Sequence, residues 1–506
     1  MRTIFAIPVG PVLPFARGVR GRPDLPYLAN PGRRMLAAYG EASVRNAVIA
    51  GFLLELVFAG ALGAQPPAEG PEFPGLLPQA TAIPVAMTEE LADTGPILAA
   101  PSPPVLGEAP ARADVGEYYT LDELKEEMKK LAWTKGDFKI VPYGTLWANM
   151  VYETHRTFIG DYTLYVLPNR PNTEEQFHLD ARSTRLGLDF SGPPVPLLAC
   201  APSGGKVEID FQRMIDTENK PSVLLRHAYL EVKNEDFRLL AGQTWDVISP
   251  LYPGILMYSV GWGGGNIGYR RAQLRGERYL AFSDVSMLTL QGSLNTDIIT
   301  ENNPPSLVGD QAGWPVVEGR AGMTLGPRGV GFRPIEFGVS GHVGEQIYDF
   351  NAPFLNPVTG LPRRTWSLNA DFRIPISSRF GVQGEFFTGE NLGAYLGGVV
   401  QGIDAGTPAL PGTRNSIRST GGWFDVWYDW TPTLHSHAGY SIDDPFNQDV
   451  TSGRVYNAFI FANLSCDLTS KFVVGAEITS WKTLWVGPSA GDANSVHCDF
   501  VAKYNF

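Results

Sequence analysis

Three arginines offer the most specific chemistry that this sequence suggests. Arg271, Gln273 and Arg275 occupy alternate positions, and Arg185 likewise lies opposite apolar neighbours. Alternate residues of a strand share one face, so these side chains would point together into one space. Guanidinium groups hold carboxylates by paired hydrogen bonds, and several of them raise the local concentration of anions. The pattern predicts a lining that is selective for anions.

Nearby polar side chains allow a second interpretation. Glu208 and Asp210 share a predicted strand face, and His227 and Glu231 follow on the next segment. These residues are also candidates to line a lumen, but the carboxylates could instead pair with the arginines and brace the wall. Alternation puts Arg226 and Arg270 on the same strand face as apolar residues, so we expect them near strand ends, where long basic side chains reach toward water.

Other patterns that could indicate catalysis are weak. No serine has the glycine pattern of a nucleophile elbow, and no H-E-x-x-H motif occurs. His435 and His437 share a strand face, but two ligands alone make a poor metal site. Residues 263–268 match GxGxxG without a following helix, which favours a flexible loop over a nucleotide site. We predict no enzyme, no catalytic residue, no cofactor and no metal.

The elements that would position these groups are strands of alternating character. Val207, Ile209 and Phe211 alternate with charged and amide residues, and the same pattern recurs over 335–340, 366–373 and 424–430. Transmembrane strands need ~9–11 residues, and bacterial barrels have even strand numbers. We predict an all-β, antiparallel transmembrane β-barrel over residues 136–506. Roughly sixteen strands fit, with fourteen or eighteen as alternatives.

The C-terminal segment has the same pattern. Phe506, Tyr504 and Phe500 take alternate positions, and polar Asn505 and Lys503 lie between them. A final strand that is apolar toward lipid and polar toward a lumen explains this ending. We therefore expect Phe506 and Tyr504 to act as the signal that outer-membrane assembly machinery reads.

Composition excludes several classes of protein. Charged residues make up 18% of the chain, below the ~25% of soluble domains, while hydrophobic residues make up 44%. A net charge of −12 argues against binding nucleic acid. The three cysteines are too few and too widely spaced for a disulfide framework. None of this determines the charge inside a pore.

The N-terminal region reads as three segments. Residues 1–64 hold an extension and a signal peptide, whose apolar run could alternatively be a buried or anchoring helix. Residues 65–114 are rich in proline and alanine and are expected to be a disordered linker. Residues 117–133 predict a short periplasmic helix with a heptad seam. That helix could self-associate as a stalk or lie on the mouth of the barrel.

Two connections are longer than turns. They extend from about residue 247 to 268 and from about 390 to 418, and both are rich in glycine and proline with little charge. Outer-membrane barrels have short periplasmic turns and longer outer loops. We expect one of these two loops to fold inward and narrow the pore.

A run of short motifs resembles one known family. Residues 183–188 (STRLGL), 205–211 (GKVEIDF), 225–231 (LRHAYLE) and 240–245 (LAGQTW) follow each other as in the DcaP-like outer-membrane porins of Gram-negative bacteria. The resemblance covers about residues 136–280. It implies a sixteen-stranded, trimeric porin with a periplasmic N-terminal helix that passes small, often anionic, organic molecules. The long N-terminal extension and the short helix depart from that family.

These observations lead to one main prediction and two alternatives. The main prediction is a homotrimeric porin in the outer membrane of a Gram-negative-type bacterium, in contact with lipid and open to small polar or anionic solutes by passive diffusion. The first alternative is a secreted or surface-exposed β-rich binding protein, whose apolar strand faces would pack in a sandwich. The second alternative is an outer-membrane enzyme, with a serine or histidine whose loss abolishes turnover.

Overall fold

A computed structural model describes the C-terminal three quarters of the chain. It covers residues 133–171, 174–213, 221–298, 307–329, 332–350, 358–407 and 410–506. The predicted signal peptide, the linker and nearly all of the predicted helix over 117–133 lie outside these residues. Trp133, the last residue of that helix prediction, begins a short strand instead.

The described residues fold almost entirely into strands. Their bounds are β1 Trp133–Lys135, β2 Phe138–Glu153, β3 Thr157–Ile159, β4 Thr163–Val166, β5 Gln176–Asp180, β6 Arg185–Val195, β7 Ala201–Asp210, β8 Leu224–Lys233, β9 Phe237–Trp245, β10 Arg270–Ser283, β11 Ser286–Asn295, β12 Leu307–Gln311, β13 Val316–Leu325, β14 Ile335–Phe350, β15 Val358–Pro375, β16 Phe380–Glu390, β17 Arg418–Thr431, β18 Leu434–Pro445, β19 Gly453–Asp467, β20 Phe472–Val486 and β21 Gly491–Asn505. Between them lie 3-10 turns of three residues each. Within the described ranges, no helix is long and apolar enough to cross a membrane.

The strands close into one barrel. β5 and β6 pair with successive halves of β2, and β12 and β13 do the same along β14, so each pair forms one interrupted barrel strand. All neighbouring strands in the sheet are antiparallel. β2 closes the barrel by pairing with the last strand, β21, from Thr145↔Asn505 to Glu153↔His497. Closure therefore yields sixteen barrel strands, as predicted, and the backbone groups of each barrel strand find partners on two neighbours.

The barrel is apolar outside and polar inside. Large apolar side chains are exposed on the outer face, for example Phe177, Leu179, Leu230, Leu274 and Leu368. Their sequence neighbours Asp180, Gln273, Arg275, Ser367 and Asn369 are buried inside. A sandwich would cover the apolar faces with a second sheet, so this alternative is wrong. The exposed apolar surface is the one that lipid covers in an outer-membrane barrel.

Three connections at one end of the barrel fold into the lumen. We name them loop A (residues 154–171, which includes the hairpin β3–β4), loop B (residues 246–269) and loop C (residues 391–407 and 410–417). Both connections that the sequence identified as long fold inward: loop B is mostly buried, and so are residues 391–400 of loop C. Loop A was not predicted to fold inward.

Candidate functional site

Loop B crosses the lumen and is held by carboxylates of the wall. Glu385 on β16 accepts a hydrogen bond from the Leu251 N–H at 2.7 Å, and Glu477 on β20 accepts one from the Leu256 N–H at 2.9 Å. Asp425 on β17 accepts a third from the N–H of Gly254. All three carboxylates are buried. Each of these carboxylates thus faces a backbone N–H group of loop B.

Amide side chains complete the anchoring of loop B. Gln383 Nε2 donates to the Tyr252 carbonyl at 3.1 Å, and Asn463 Nδ2 donates to the Gly254 carbonyl at 2.7 Å. The wall therefore supplies both acceptors and donors to one short stretch of loop. Buried backbone groups must be paired, and here side chains do what a neighbouring strand would otherwise do.

Loops A, B and C also hold one another. Asn457 Nδ2 on β19 donates at 2.8 Å both to the Leu164 carbonyl of loop A and to the Gly263 carbonyl of loop B. The Gly263 N–H in turn donates to the Leu396 carbonyl of loop C at 2.9 Å. Apolar side chains from all three loops then pack against the wall in one cluster: Tyr162, Leu164, Met257, Trp262, Leu396, Val399, Phe459 and Trp481. This packing joins the three loops to the wall in one apolar core.

The glycine-rich segment of loop B is part of this packing. Gly263 has a φ of +70°, and a Cβ there would lie 2.9 Å from the Leu164 carbonyl oxygen. Glycine therefore permits both the backbone conformation and the close approach of loop A. The segment was expected to be a flexible loop; instead, residues 262–267 are buried.

Two of the predicted arginines are tied into the wall and loops. Arg271 Nε and Nη1 pair with Asp246 and Asp297, each at 2.8 Å, and Nη2 donates to the Ala394 carbonyl of loop C at 3.0 Å. Arg275 Nη1 lies 3.4 Å from Glu277 Oε1, and Gln273 beside it donates to the Trp245 carbonyl at 3.0 Å. Arg271 thus braces the structure, with partners other than those that the sequence suggested.

The third predicted arginine lies in a cluster of charges around Tyr258 of loop B. The guanidinium carbon of Arg185 is 6.0 Å from the centroid of the Tyr258 ring, and that of Arg226 is 5.9 Å from it. Arg226 pairs with both Glu208 and Asp210, and the Tyr258 hydroxyl donates to Asp210 at 2.7 Å. Burial, followed by the neighbouring Asp210 carboxylate, raises the pKa of Tyr258, so its hydroxyl keeps the proton that it donates.

Two other predicted residues have partners at the edge of this cluster. His227 Nδ1 is 3.0 Å from the Thr244 hydroxyl, and Glu231 pairs with Arg238. The predicted carboxylates Glu208, Asp210 and Glu231 therefore do form ion pairs on the inner wall. Their partners are Arg226 and Arg238, and not the three arginines that the sequence singled out.

Arg226 and Arg270 do not reach toward water at strand ends, so that expectation was wrong. A β-bulge makes Arg226 the extra residue of β8, opposite the step from Glu208 to Ile209 on β7, and its side chain is buried inside. Arg270 begins β10, but its side chain is only 2% exposed. Its guanidinium lies 4.6 Å from the ring centroid of Trp245 and 4.8 Å from that of Tyr269.

Arg270 differs from Arg226 and Arg271 in its hydrogen bonding. Among the residues that the structure describes, none of its three guanidinium nitrogens has a hydrogen-bond acceptor. Aromatic faces attract a cation but do not neutralise it as a carboxylate does. Alternation alone would not have identified this residue, because it falls on the opposite parity to Arg271.

A cavity of ≈ 80 Å³ lies beside the start of loop B. Its lining includes Leu251, Arg238, Glu277, Arg320 and Asp371. Arg320 holds Asp371 through two hydrogen bonds of 3.0 and 2.7 Å. Arg320 on β13 thus pairs with Asp371 on β15 across the intervening strand β14.

The C-terminal aromatics lie where the barrel closes. The Phe506 N–H donates to the Gly144 carbonyl at 3.0 Å, and the Gly144 N–H donates back to Phe506 at 3.2 Å. Tyr504 and Phe506 are each 47% exposed on the outer face. Their recognition by assembly machinery stays a prediction.

His435 and His437, which share a strand face, have partners other than a metal ion. In the part of the chain that the structure describes, no cluster of three or more His, Cys, Asp or Glu side chains is arranged to hold a metal ion. His435 pairs with Asp429 at 2.7 Å, and His437 Nδ1 lies 3.4 Å from Asp425. Each of these two histidines thus has its own carboxylate partner.

Comparison with solved structures identifies the fold. The outer-membrane channel DcaP of Acinetobacter baumannii superposes with a TM-score of 0.56 at 17% identity, over 74% of this chain and 99% of that one. An anion-selective porin from Comamonas acidovorans gives a TM-score of 0.45 at 11% identity, over 73% and 100% of the two chains. OprB of Pseudomonas putida gives 0.45 at 10% identity, over 76% and 96%.

The likeness to DcaP confirms at the level of the fold what the motifs suggested. The chain has the fold of an outer-membrane porin, and its closed barrel with an apolar exterior belongs in an outer membrane. No protein-family model matches the sequence, and no curated protein matches it.

Proposed function

We propose that this protein is a porin through which small polar and anionic solutes diffuse passively across the outer membrane. The barrel fold supports a channel in general. The preference for anions is supported by the charges that face the lumen. The inward loops support the limit to small solutes, because side chains of all three loops pack against the inner wall of the barrel.

The observation that carries the anion preference is the charge balance around Tyr258 and Trp245. Three guanidinium groups, those of Arg185, Arg226 and Arg270, lie within 6.0 Å of one or both of these rings. Glu208 and Asp210 both pair with Arg226. Arg270 carries the excess positive charge of this wall, because its three guanidinium nitrogens have no hydrogen-bond acceptor in the described part of the chain.

The opposite wall does not cancel this excess in the same way. Glu385, Asp425 and one of the two oxygens of Glu477 accept hydrogen bonds from N–H groups of loop B. Backbone donors disperse the charge of a carboxylate that they surround. The net charge of −12 for the chain therefore does not determine the sign of the selectivity.

The test is the reversal potential of single channels in a planar bilayer under a salt gradient. The variant is Arg270→Gln, and the control is Arg278→Gln on the same strand, whose side chain is 53% exposed. A unit charge about 10 Å from the ion path contributes about 0.4 kcal/mol in a water-like dielectric. The sign is opposite for anions and cations, so the anion-to-cation permeability ratio should fall about fourfold in Arg270→Gln.

The possible results separate the parts of the proposal. Absence of discrete conductance steps in the wild type would refute the channel. Steps with a cation-selective wild type, or with equal ratios in Arg270→Gln and Arg278→Gln, would refute the role of the arginine wall. Turnover of a lipid or glycan by the purified protein would instead favour an enzyme.

We also infer a homotrimer, which rests on the resemblance to DcaP-like porins. Light scattering of the detergent-solubilised protein, corrected for bound detergent, measures the mass directly. A mass of three chains is expected, and a mass of one chain would contradict the inference. Deletion of residues 117–133 in the same assay would test the predicted stalk.

A further inference from the structure

Four buried acceptor oxygens on the inner wall have no hydrogen-bond donor among the described residues. They are both carboxylate oxygens of Asp499 on β21, Oε1 of Glu477 on β20 and Oδ1 of Asn149 on β2. The three side chains are 5%, 4% and 8% exposed. Buried polar atoms are paired in the large majority of cases, so a group of unpaired acceptors needs a physical explanation.

The register brings the three residues together. Glu477 and Asp499 lie directly opposite each other, and Val151, two residues beyond Asn149, lies opposite Asp499 on its other side. Asn149 therefore shares the inner face with Asp499 and is its diagonal neighbour. Directly opposite side chains have Cβ atoms about 4.5–5.5 Å apart, and like charges at that spacing destabilise a sheet.

Neighbouring positive groups do not neutralise this pair. Lys503, two positions further along the same inner face, has its Nζ 3.6 Å from the centroid of the Trp147 ring. His497 lies 3.7 Å from Glu153 and has its other nitrogen 3.1 Å from the Thr163 hydroxyl. A buried carboxylate without a partner is costly, because it loses hydration without compensation.

We propose that Asp499, Glu477 and Asn149 form a site for a hard divalent cation, with Ca²⁺ as the best match. Ca²⁺ takes oxygen ligands only, typically six to eight, from carboxylates, amide carbonyls and water. The three side chains offer four oxygens of that kind, and water of the lumen supplies the others. Two carboxylates are fewer than a dedicated metal centre uses, so the site binds weakly.

The site lies between the anchors of two loops. Oε2 of Glu477 accepts hydrogen bonds from Leu256 of loop B at 2.9 Å and from Asn463 at 2.7 Å. Nδ2 of Asn149 donates to the Asp161 carbonyl of loop A at 3.3 Å. A cation on the free oxygens of the same side chains thus fixes loops A and B relative to each other and neutralises two negative charges of this wall.

Tb³⁺ luminescence tests the site in the purified full-length protein. Tb³⁺ replaces Ca²⁺ at oxygen sites, and the buried Trp147 and Trp481 on β2 and β20 can sensitise it. We expect emission that Ca²⁺ displaces in the wild type, and an apparent affinity at least about tenfold weaker in Asp499→Asn and in Asn149→Ala. The control is Asp492→Asn on the same strand, because its carboxylate is 58% exposed and pairs with Lys482. It should bind as the wild type does.

Thermal unfolding adds a readout that does not depend on Tb³⁺. In EDTA, Asp499→Asn should be at least as stable as the wild type, because it removes an uncompensated charge. Addition of CaCl₂ should stabilise the wild type and Asp492→Asn, but not Asp499→Asn. Equal Tb³⁺ emission in all variants, or no stabilisation by Ca²⁺, would overturn the proposal in favour of a proton shared between Glu477 and Asp499.

Discussion

Replacement of Glu385 by alanine tests whether wall carboxylates hold loop B in the lumen. The Glu385 carboxylate accepts from the Leu251 N–H at 2.7 Å, from the Ser249 hydroxyl and from Trp423 Nε1 at 3.2 Å. Two of these donors belong to loop B and one to the neighbouring strand β17. The substitution removes all three hydrogen bonds without changing the loop itself.

The expected magnitude follows from the two bonds to the loop. A hydrogen bond to a charged group contributes about 1.5–3 kcal/mol, so two contribute about 3–6 kcal/mol. Water that enters the vacated space compensates part of this loss, and about 3 kcal/mol is a conservative net value. At 1.4 kcal/mol per factor of ten, the population with this part of loop B detached rises about a hundredfold.

Hydrogen exchange measured by mass spectrometry in detergent micelles reports that population. The peptide that contains Ser249 and Leu251 should exchange about a hundredfold faster in Glu385→Ala, because exchange there follows local opening. The matched control is Glu390→Ala on the same strand, since Glu390 accepts its hydrogen bond from Trp366 Nε1 at 3.1 Å. Its loop B peptides should exchange as in the wild type.

Two outcomes of the exchange experiment would contradict this prediction. Equal exchange of this peptide in Glu385→Ala and Glu390→Ala would show that the Glu385 carboxylate does not hold loop B in place. Faster exchange across the whole barrel would show a general loss of stability and would not support the anchor. Only acceleration confined to loop B agrees with the reasoning.

Two further predictions concern the wall. A Cβ at Gly144 would lie 2.6 Å from the ring of Phe506, so Gly144→Ala should reduce the yield of closed, heat-modifiable barrel on gels. Gly292→Ala, where the nearest atom is 3.9 Å from the new Cβ, should not reduce that yield. Arg320→Ala leaves the buried Asp371 without its two hydrogen bonds and should lower the free energy of unfolding by about 3–5 kcal/mol in urea titrations. An unchanged unfolding midpoint would contradict this value.

Much of the barrel was predictable because its physics is local and periodic. The inward row Lys206, Glu208 and Asp210 is buried, and the intervening Val207 is exposed, as strict alternation requires. In a barrel wall with lipid on one side, a slip of one residue would put charge into the lipid, so the sequence must keep the period of two. The same alternation, followed along the chain, gives about sixteen strands, which is the number that the barrel has.

The lumen was less predictable because its contacts are not local. Arg226 faces inward through a bulge, and a bulge leaves no periodic signal in the sequence. The partners of Arg271 come from residues 246, 297 and 394, on three different connections. The inward position of loop A was not predicted, because the sequence of its hairpin β3–β4 has the character of an ordinary strand.

The inward loops also change the meaning of the charges on the wall. From the sequence alone, each carboxylate on an inner face counts against the passage of anions. In the folded barrel, Glu385, Asp425 and Glu477 are directed at N–H groups of loop B, whereas Arg270 meets aromatic rings and no acceptor in the described part of the chain. An acidic protein can therefore carry a basic wall, because several of its inner acids hold the loop that narrows the lumen. On this reasoning, the loop and the selectivity are coupled: a substitution that frees loop B also exposes acidic charge and shifts selectivity toward cations.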